Sequence, residues 1–265
     1  MALSLGLANF ILFFIGGFLL YHYSSTFRYY YKVCFLIGWM LGMSLLVLPL
    51  VAFRGRDVTN MRVLRLLMLP LKYILDVKIN VQGATNLNLK GPYVMVANQQ
   101  GNVDYLGMFQ LLPERCTLIA EKEPFYMLPV GVVWWLSGFI FINYQKIADS
   151  ISIMSAAADT MVQENLRIWM FLKQMTNNTV PIQHGAFHLA VQAQVPVIPV
   201  VMSSYQRFLN NKKKRFTPGE VTIKILPPME TQGLGPADVP ELMERVQETM
   251  LSTFHEISGD AGKKA

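Results

Sequence analysis

Long apolar runs open the chain and then give way to short apolar stretches separated by polar turns. Leu5 to Tyr21 is almost wholly apolar, and residues 1–27 carry no charged side chain. Val33 to Phe53 is a second charge-free run, 21 residues long. At a rise of about 1.5 Å per residue, a helix of that length matches a hydrocarbon core of about 30 Å. Between the runs lies His22-Tyr23-Ser24-Ser25-Thr26-Phe27-Arg28-Tyr29-Tyr30-Tyr31-Lys32. Tyrosines with flanking cations are what bilayer interfaces favour. The first run lacks a basic start and a small-residue cleavage site, which predicts a retained anchor rather than a removable signal. Residues 1–55 are therefore expected to form a membrane anchor, either a helical hairpin or one span with a partly inserted helix. Arg54, Arg56, Arg62, Arg65 and Lys72 follow the second run. That cation excess predicts a main domain on the cytoplasmic side.

From residue 56 the periodicity changes. Residues 57–69 predict an amphipathic helix, capped by Asp57 and interrupted by Pro70. Val77 to Val81 predicts a strand, residues 83–91 a loop, and Tyr93 to Ala97 a buried strand. Asp104 to Leu112 predicts a helix and Cys116 to Ala120 a strand. Gly131 to Phe141 is strongly apolar, and packing accounts best for its Trp134 and Trp135. Ile147, Ile151, Met154, Ala158 and Met161 fall at helical spacing. Arg167 to Phe171 predicts a strand, Gly185 to Gln194 a helix and Val197 to Val201 a strand. Val221, Ile223 and Ile225 alternate with polar residues, the period of a half-buried strand. Leu242, Val246, Met250 and Phe254 predict a closing helix, and residues 259–265 a disordered polar tail. Strands alternating with helices over 56–258 predict an α/β domain, its central and mostly buried sheet flanked by helices.

Composition adds a membrane bias: 52% of residues are apolar and 15% charged, against about 25% charged in ordinary soluble domains. The net charge of +6 suits an anionic membrane surface or a phosphate-bearing ligand. No groove-reading motif or basic stripe supports a nucleic-acid partner. Cys34 and Cys116 stand in unrelated contexts and are expected as reduced thiols, and no cluster predicts a metal. His22 and His255 are expected at the interface and the surface. The run Asn211-Lys212-Lys213-Lys214-Arg215 suits anionic headgroups or coenzyme A phosphates, or is a solvated loop.

The stretch Gly-Ala-Phe-His-Leu-Ala-Val-Gln-Ala-Gln-Val-Pro-Val-Ile-Pro-Val-Val-Met-Ser-Ser-Tyr at 185–205 resembles the 1-acylglycerol-3-phosphate acyltransferases. Arg54-Gly-Arg56, Asn60-Met61, Gly138-Phe-Ile-Phe-Ile142 and the two anchor runs share the resemblance, which covers essentially the whole chain. It implies the glycerolipid acyltransferase fold and an endoplasmic-reticulum membrane. It also implies transfer of an acyl group from acyl-coenzyme A, a cosubstrate rather than a cofactor. The acceptor is the sn-2 hydroxyl of lysophosphatidic acid, and the product is phosphatidic acid. The implied partners are membrane lipid, acyl-coenzyme A and lysophospholipid.

The family's first motif is Asn-His-x-x-x-x-Asp. There the imidazole takes the hydroxyl proton during attack on the thioester, and the carboxylate orients it. The matching stretch here is Asn98-Gln99-Gln100-Gly101-Asn102-Val103-Asp104. Asp104 keeps its place, and Gln99 stands where the base belongs. A carboxamide does not titrate near neutral pH, and losing a positioned base lowers a rate by on the order of 10²–10⁴. The second motif, Phe-Ile-Asp-Arg, is here Phe141-Ile142-Asn143-Tyr144. The third, Phe-Pro-Glu-Gly-Thr-Arg, becomes Phe171 followed by Leu172-Lys173-Gln174-Met175-Thr176. A basic pair expected before Gly185 is Gln183-His184. The cations of these motifs would grip the substrate phosphate. The degenerate substrate-side positions in this chain are Asn98, Asn143, Tyr144, Lys173, Gln183 and His184. The fourth motif, Val195 to Val200, is intact and shapes the sheet and acyl pocket.

The substitutions fall together on chemical positions while scaffold positions are kept, as in a natural pseudoenzyme or a sequence recast on the fold. The residues leave three functions open. One is a catalytically silent membrane-bound acyltransferase fold. Another is a working acyltransferase with an unusual base, Asp104 or His184. The third is a scaffold that binds lipid or a membrane-protein partner. His188 matches the residue of active relatives and replaces nothing. Taken alone, Asp104 at a strand-to-helix junction is expected as a helix cap.

Overall fold

The computed structural model describes residues 2–101, 103–121, 127–142, 147–172 and 183–259. Helix α1 (Ala2–Tyr23) and helix α2 (Ser25–Arg54) are joined by Ser24 alone. The tyrosine-rich connector expected between the apolar runs is thus mostly the first turns of α2. Ser24 caps that helix, its hydroxyl accepting from Phe27 N at 3.2 Å. The Arg28 guanidinium donates to the carbonyls of Tyr21 at 3.0 Å and His22 at 2.6 Å, which satisfies the open end of α1. Phe10, Leu12 and Phe18 of α1, and Leu45, Leu46 and Phe53 of α2, are exposed. A contiguous apolar surface of this kind makes the chain membrane-associated. Among the described residues, α2 is the one helix long and apolar enough to cross a membrane by length and composition.

The inner face of α2 buries Tyr29, Lys32, Leu36, Ser44, Val47 and Val51, a stripe at helical spacing that runs almost its whole length. Lys32 Nζ donates to Leu75 O at 2.8 Å and Trp39 Nε1 to Leu67 O at 3.0 Å. The helix therefore lies along the domain.

The helix expected over 57–69 is divided. Asp57 accepts from Thr59 N at 2.7 Å and caps a short 3-10 turn over Val58–Asn60. Helix α3 (Met61–Met68) follows, then a one-turn helix α4 (Leu71–Ile74) after Pro70. Then come β1 (Val77–Gln82), β2 (Val94–Asn98), α5 (Asp104–Leu111) and β3 (Cys116–Glu121). Next are α6 (Val130–Leu136), β4 (Ile140–Ile142), α7 (Ile147–Gln163), β5 (Arg167–Leu172) and α8 (Gln183–Ala193). The chain continues through β6 (Val197–Met202), β7 (Leu209–Asn210), β8 (Arg215–Phe216), β9 (Gly219–Ile225) and α9 (Val239–Ser258).

Seven strands form one sheet in the order β1-β9-β6-β2-β5-β3-β4. All neighbours pair parallel except β6 with β9. The central strands β2 and β6 are buried on both faces, so each reads as an unbroken apolar run. The residues of β2 alternate sides. Met95 and Ala97 join a core with α2, α3 and α5, while Val94 and Val96 join a second core with α7, α8 and α9. The α/β architecture is the one the pattern predicts. The added feature is a small antiparallel hairpin, β7 with β8. The C-terminal ends of β2 to β6 share one edge of the sheet, where open α/β sheets commonly hold their ligands.

Candidate functional site

At that edge lies a cleft of about 760 Å³. The loop Asn98 to Gly101 with Val103 and the segment Ser204 to Gln206 form its polar floor. Val33, Leu36 and Ile37 of α2 face Leu251 and Phe254 of α9 as apolar walls, and Lys212 stands at its margin.

The floor is held by carboxamides. Asn98 donates from Nδ2 to Met202 O at 2.9 Å and accepts Met202 N at Oδ1, 2.8 Å away. This buried double bond carries the β2–β6 pairing beyond the last paired backbone residues. Removing it strands the buried Met202 N–H, while Met202 O keeps the Gln100 amide. Asn98→Ala is expected to lower stability by about 2 kcal/mol, read as an earlier denaturant midpoint with an unchanged slope. Gln100 donates through Nε2 to Met202 O at 3.1 Å and to Ser203 O at 3.0 Å, and its Oε1 accepts Tyr205 N at 3.2 Å. It thus fastens the chain after β6. Sequence reasoning missed this residue. The signal was available, because a long carboxamide beside a strand end can satisfy backbone groups that the sheet leaves open.

Gln99 donates its backbone N–H to Leu172 O at 3.0 Å, and its side chain lines the cleft. Among the described residues its carboxamide has no hydrogen-bond partner.

Asp104 is the first residue of α5 and does not cap that helix; the cap position is Val103, with no side-chain bond. Instead Oδ2 reaches back to Gln100 N at 2.6 Å and Gly101 N at 2.7 Å, closing the loop that carries Gln99. The correction has a simple cause. The orphan donors lie in the turn before the helix, so the carboxylate serves them rather than its own first turn. Oδ1 is buried and has no hydrogen-bond partner. Burial pushes this carboxyl up to about 6, while the two amides and the nearby Tyr205 hydroxyl pull the other way. Burial, and then the charge of Asp104, hold Tyr205 well above its ordinary value. The Tyr205 hydroxyl also lies 3.3 Å from Met202 Sδ.

The structure thus brings Asn98 and Gln99 to one cleft, with Asp104 buried behind the loop that carries Gln99. Asn143, Tyr144 and Lys173 lie outside the described residues, as does the expected tail beyond Gly259. Gln183 and His184 open α8, and their side chains lie outside the description. Trp134 is buried as packing predicts, whereas Trp135 is partly exposed beside Arg56. Among the described residues no group of His, Cys, Asp and Glu is placed to hold a metal ion.

The family model described as Acyltransferase matches residues 78–203, which contain the cleft floor up to Ser203. The chain is 45% identical to the 1-acyl-sn-glycerol-3-phosphate acyltransferase alpha of Mus musculus over 241 residues, covering 89% of this chain and 85% of that protein. It is 40% identical to the beta enzyme of Homo sapiens over 207 residues, 77% of this chain and 74% of that one. Among solved structures, the 1-acyl-sn-glycerophosphate (LPA) acyltransferase PlsC from Thermotoga maritima superposes with a TM-score of 0.59. At 18% identity that match covers 92% of this chain and 97% of the other, and it shows a common fold.

Proposed function

The chain belongs to the 1-acyl-sn-glycerol-3-phosphate acyltransferase family, and from that premise we propose that it is a membrane-bound member with an intact scaffold and silent chemistry. The observation that carries this reading is the Gln99 carboxamide in the cleft, at the place of the family's imidazole. Attack on a thioester by a hydroxyl requires that the hydroxyl proton leave. Neither a carboxamide nor a buried carboxylate already holding two amides can take it at the cleft surface. Asp104 is 1% exposed, which argues against it as a substitute base. The cleft retains apolar walls suited to an acyl chain, so lipid binding outlives the chemistry. Lysophosphatidic acid and acyl-coenzyme A are the ligands the family points to. Their binding is expected to be weak where neutral side chains replace cations. By the same resemblance the protein resides in the endoplasmic-reticulum membrane, and the cations that follow the second apolar run favour an α/β domain on the cytoplasmic side.

The test is turnover by the unaltered chain, reconstituted in detergent or vesicles with lysophosphatidic acid and labelled acyl-coenzyme A. Phosphatidic acid is expected at background. Formation at the pace of an active relative assayed in parallel overturns the proposal. If His184→Ala then abolishes that turnover, His184 is the base instead.

A further inference from the structure

The β7–β8 hairpin concentrates charge at one end of α2. Its loop presents Lys212, Lys213 and Lys214 in succession, and Arg215 opens the second strand. The turn is held by its own chain. Asn210 Oδ1 accepts Lys213 N at 2.8 Å, and Lys214 adopts a left-handed φ of 46°. Beneath it the Phe216 ring is buried, its centroid 6.5 Å from that of Phe208, with Lys32 Nζ 4.8 Å above it. The hairpin is also fastened to α2. Tyr29 Oη donates to Asn211 Oδ1 at 3.1 Å, and Lys214 Nζ lies 5.3 and 5.7 Å from the rings of Tyr29 and Tyr30.

Such a cluster is usually neutralised by nearby acids or spread into solvent. Here no ion pair among the described residues reaches Lys212, Lys213, Lys214 or Arg215. The Arg215 guanidinium is committed to Gln206 O at 2.8 Å, so the free charges are point-like ammonium groups. The surroundings are layered. Exposed Tyr30 meets Lys214 at 5.7 Å, and the neighbouring exposed Tyr31 packs its ring 5.3 Å from that of Tyr21 on α1, the helix with the exposed apolar side chains. Cations, then tyrosines, then bare apolar surface is the order met on entering a bilayer.

We propose that the β7–β8 hairpin is an anionic-lipid contact. Lys212, Lys213 and Lys214 lie among the headgroups of an acidic leaflet while α1 and the outer face of α2 sit in its apolar layer. Because Lys212 also borders the cleft, this contact sets the cleft mouth at headgroup level. The inference does not depend on whether the site turns over.

Flotation of the full chain with vesicles tests it. One set is phosphatidylcholine alone, the other phosphatidylcholine with phosphatidylserine. The wild-type chain is expected to prefer the acidic set, less so as salt rises. The variant K212Q/K213Q/K214Q is expected to lose about fivefold per lysine, on the order of 100-fold in all, from acidic vesicles only. The single reversal K213E, on an exposed side chain, gives the same direction should the triple variant fold poorly. K78Q/K90Q/R245Q removes equal charge from exposed positions elsewhere and should keep the preference. The proposal is overturned if the wild type shows no preference, if the hairpin variants retain it, or if the distant variant loses as much. Competition by free glycerol 3-phosphate at matched ionic strength also overturns it, in favour of a soluble-phosphate pocket.

Discussion

Gln99→His is expected to raise phosphatidic acid formation from background by on the order of 10², with saturation only at high lysophosphatidic acid concentration. The cleft floor already holds what an imidazole there would use. Asp104 is fixed by two amides through Oδ2, while its buried Oδ1 has no partner. A ring N–H donated to Oδ1 would settle that orphan acceptor, orient the imidazole and raise its basicity. The gain should fall short of the upper range for a positioned base, because neutral Tyr144, Thr176 and Gln183 stand at the family's phosphate-gripping cationic positions. The expected signature is therefore a higher maximal rate with a persistently high KM. A second readout is structural. The new hydrogen bond should bring the Asp104 carboxyl down from about 6, visible by carboxyl NMR. If neither the rate nor that titration moves, positions 99 and 104 do not communicate, and the cleft is not built as a silenced acid–base pair.

Asp104→Asn is expected to stabilise this protein above neutral pH, the reverse of its effect in an enzyme that needs the carboxylate. The folded-state value of Asp104, about 6, lies above its ordinary 3.8. An acid raised in this way favours the protonated folded state. Its stabilising contribution is complete below about 3.8 and is lost as pH rises through about 6. For a group 1% exposed that gap corresponds to about 3 kcal/mol. An asparagine carbonyl can still accept from Gln100 and Gly101 and carries no charge to desolvate. The difference between variant and wild type should thus be small at pH 4 and grow to about 3 kcal/mol at pH 8. Denaturant midpoints across that range check it. A variant less stable than wild type at pH 8 would show that the ionised form is the one the loop needs.

Much of the fold was legible because the two cores impose strict periods. The apolar run Val94 to Ala97 is a strand buried on both faces, and the four-and-three spacing of α7 packs it against α8. The antiparallel pairing of β6 with β9 was not legible, since the alternation of Val221, Ile223 and Ile225 marks a strand without stating its direction. Nor was the β7–β8 hairpin, whose strands are too short to show a period and whose lysines look like a plain solvated loop. Residues 22–32 were legible only in part. Their tyrosines match an interface, yet Tyr29 and Lys32 belong to the buried stripe of α2, and tertiary packing extends the helix through them. In the cleft, Gln99 stood out because its neighbours spell a motif. Gln100 escaped notice because its role is to satisfy backbone groups that only the folded chain leaves open. Asp104 is correctly placed in the motif yet differs in role from the expected helix cap.

The way α2 lies along the domain bears on how a shortened version should be made. Val47 and Val51 are part of the same core as Leu64 and Phe109, so cutting the chain near residue 56 would strip one wall from that core. A trimmed form beginning at Ser24 keeps the wall and the cap of α2, and discards only α1. It would still expose Leu45, Leu46 and Phe53, so polar replacements at those outward positions, rather than deeper truncation, are the route to a detergent-free sample.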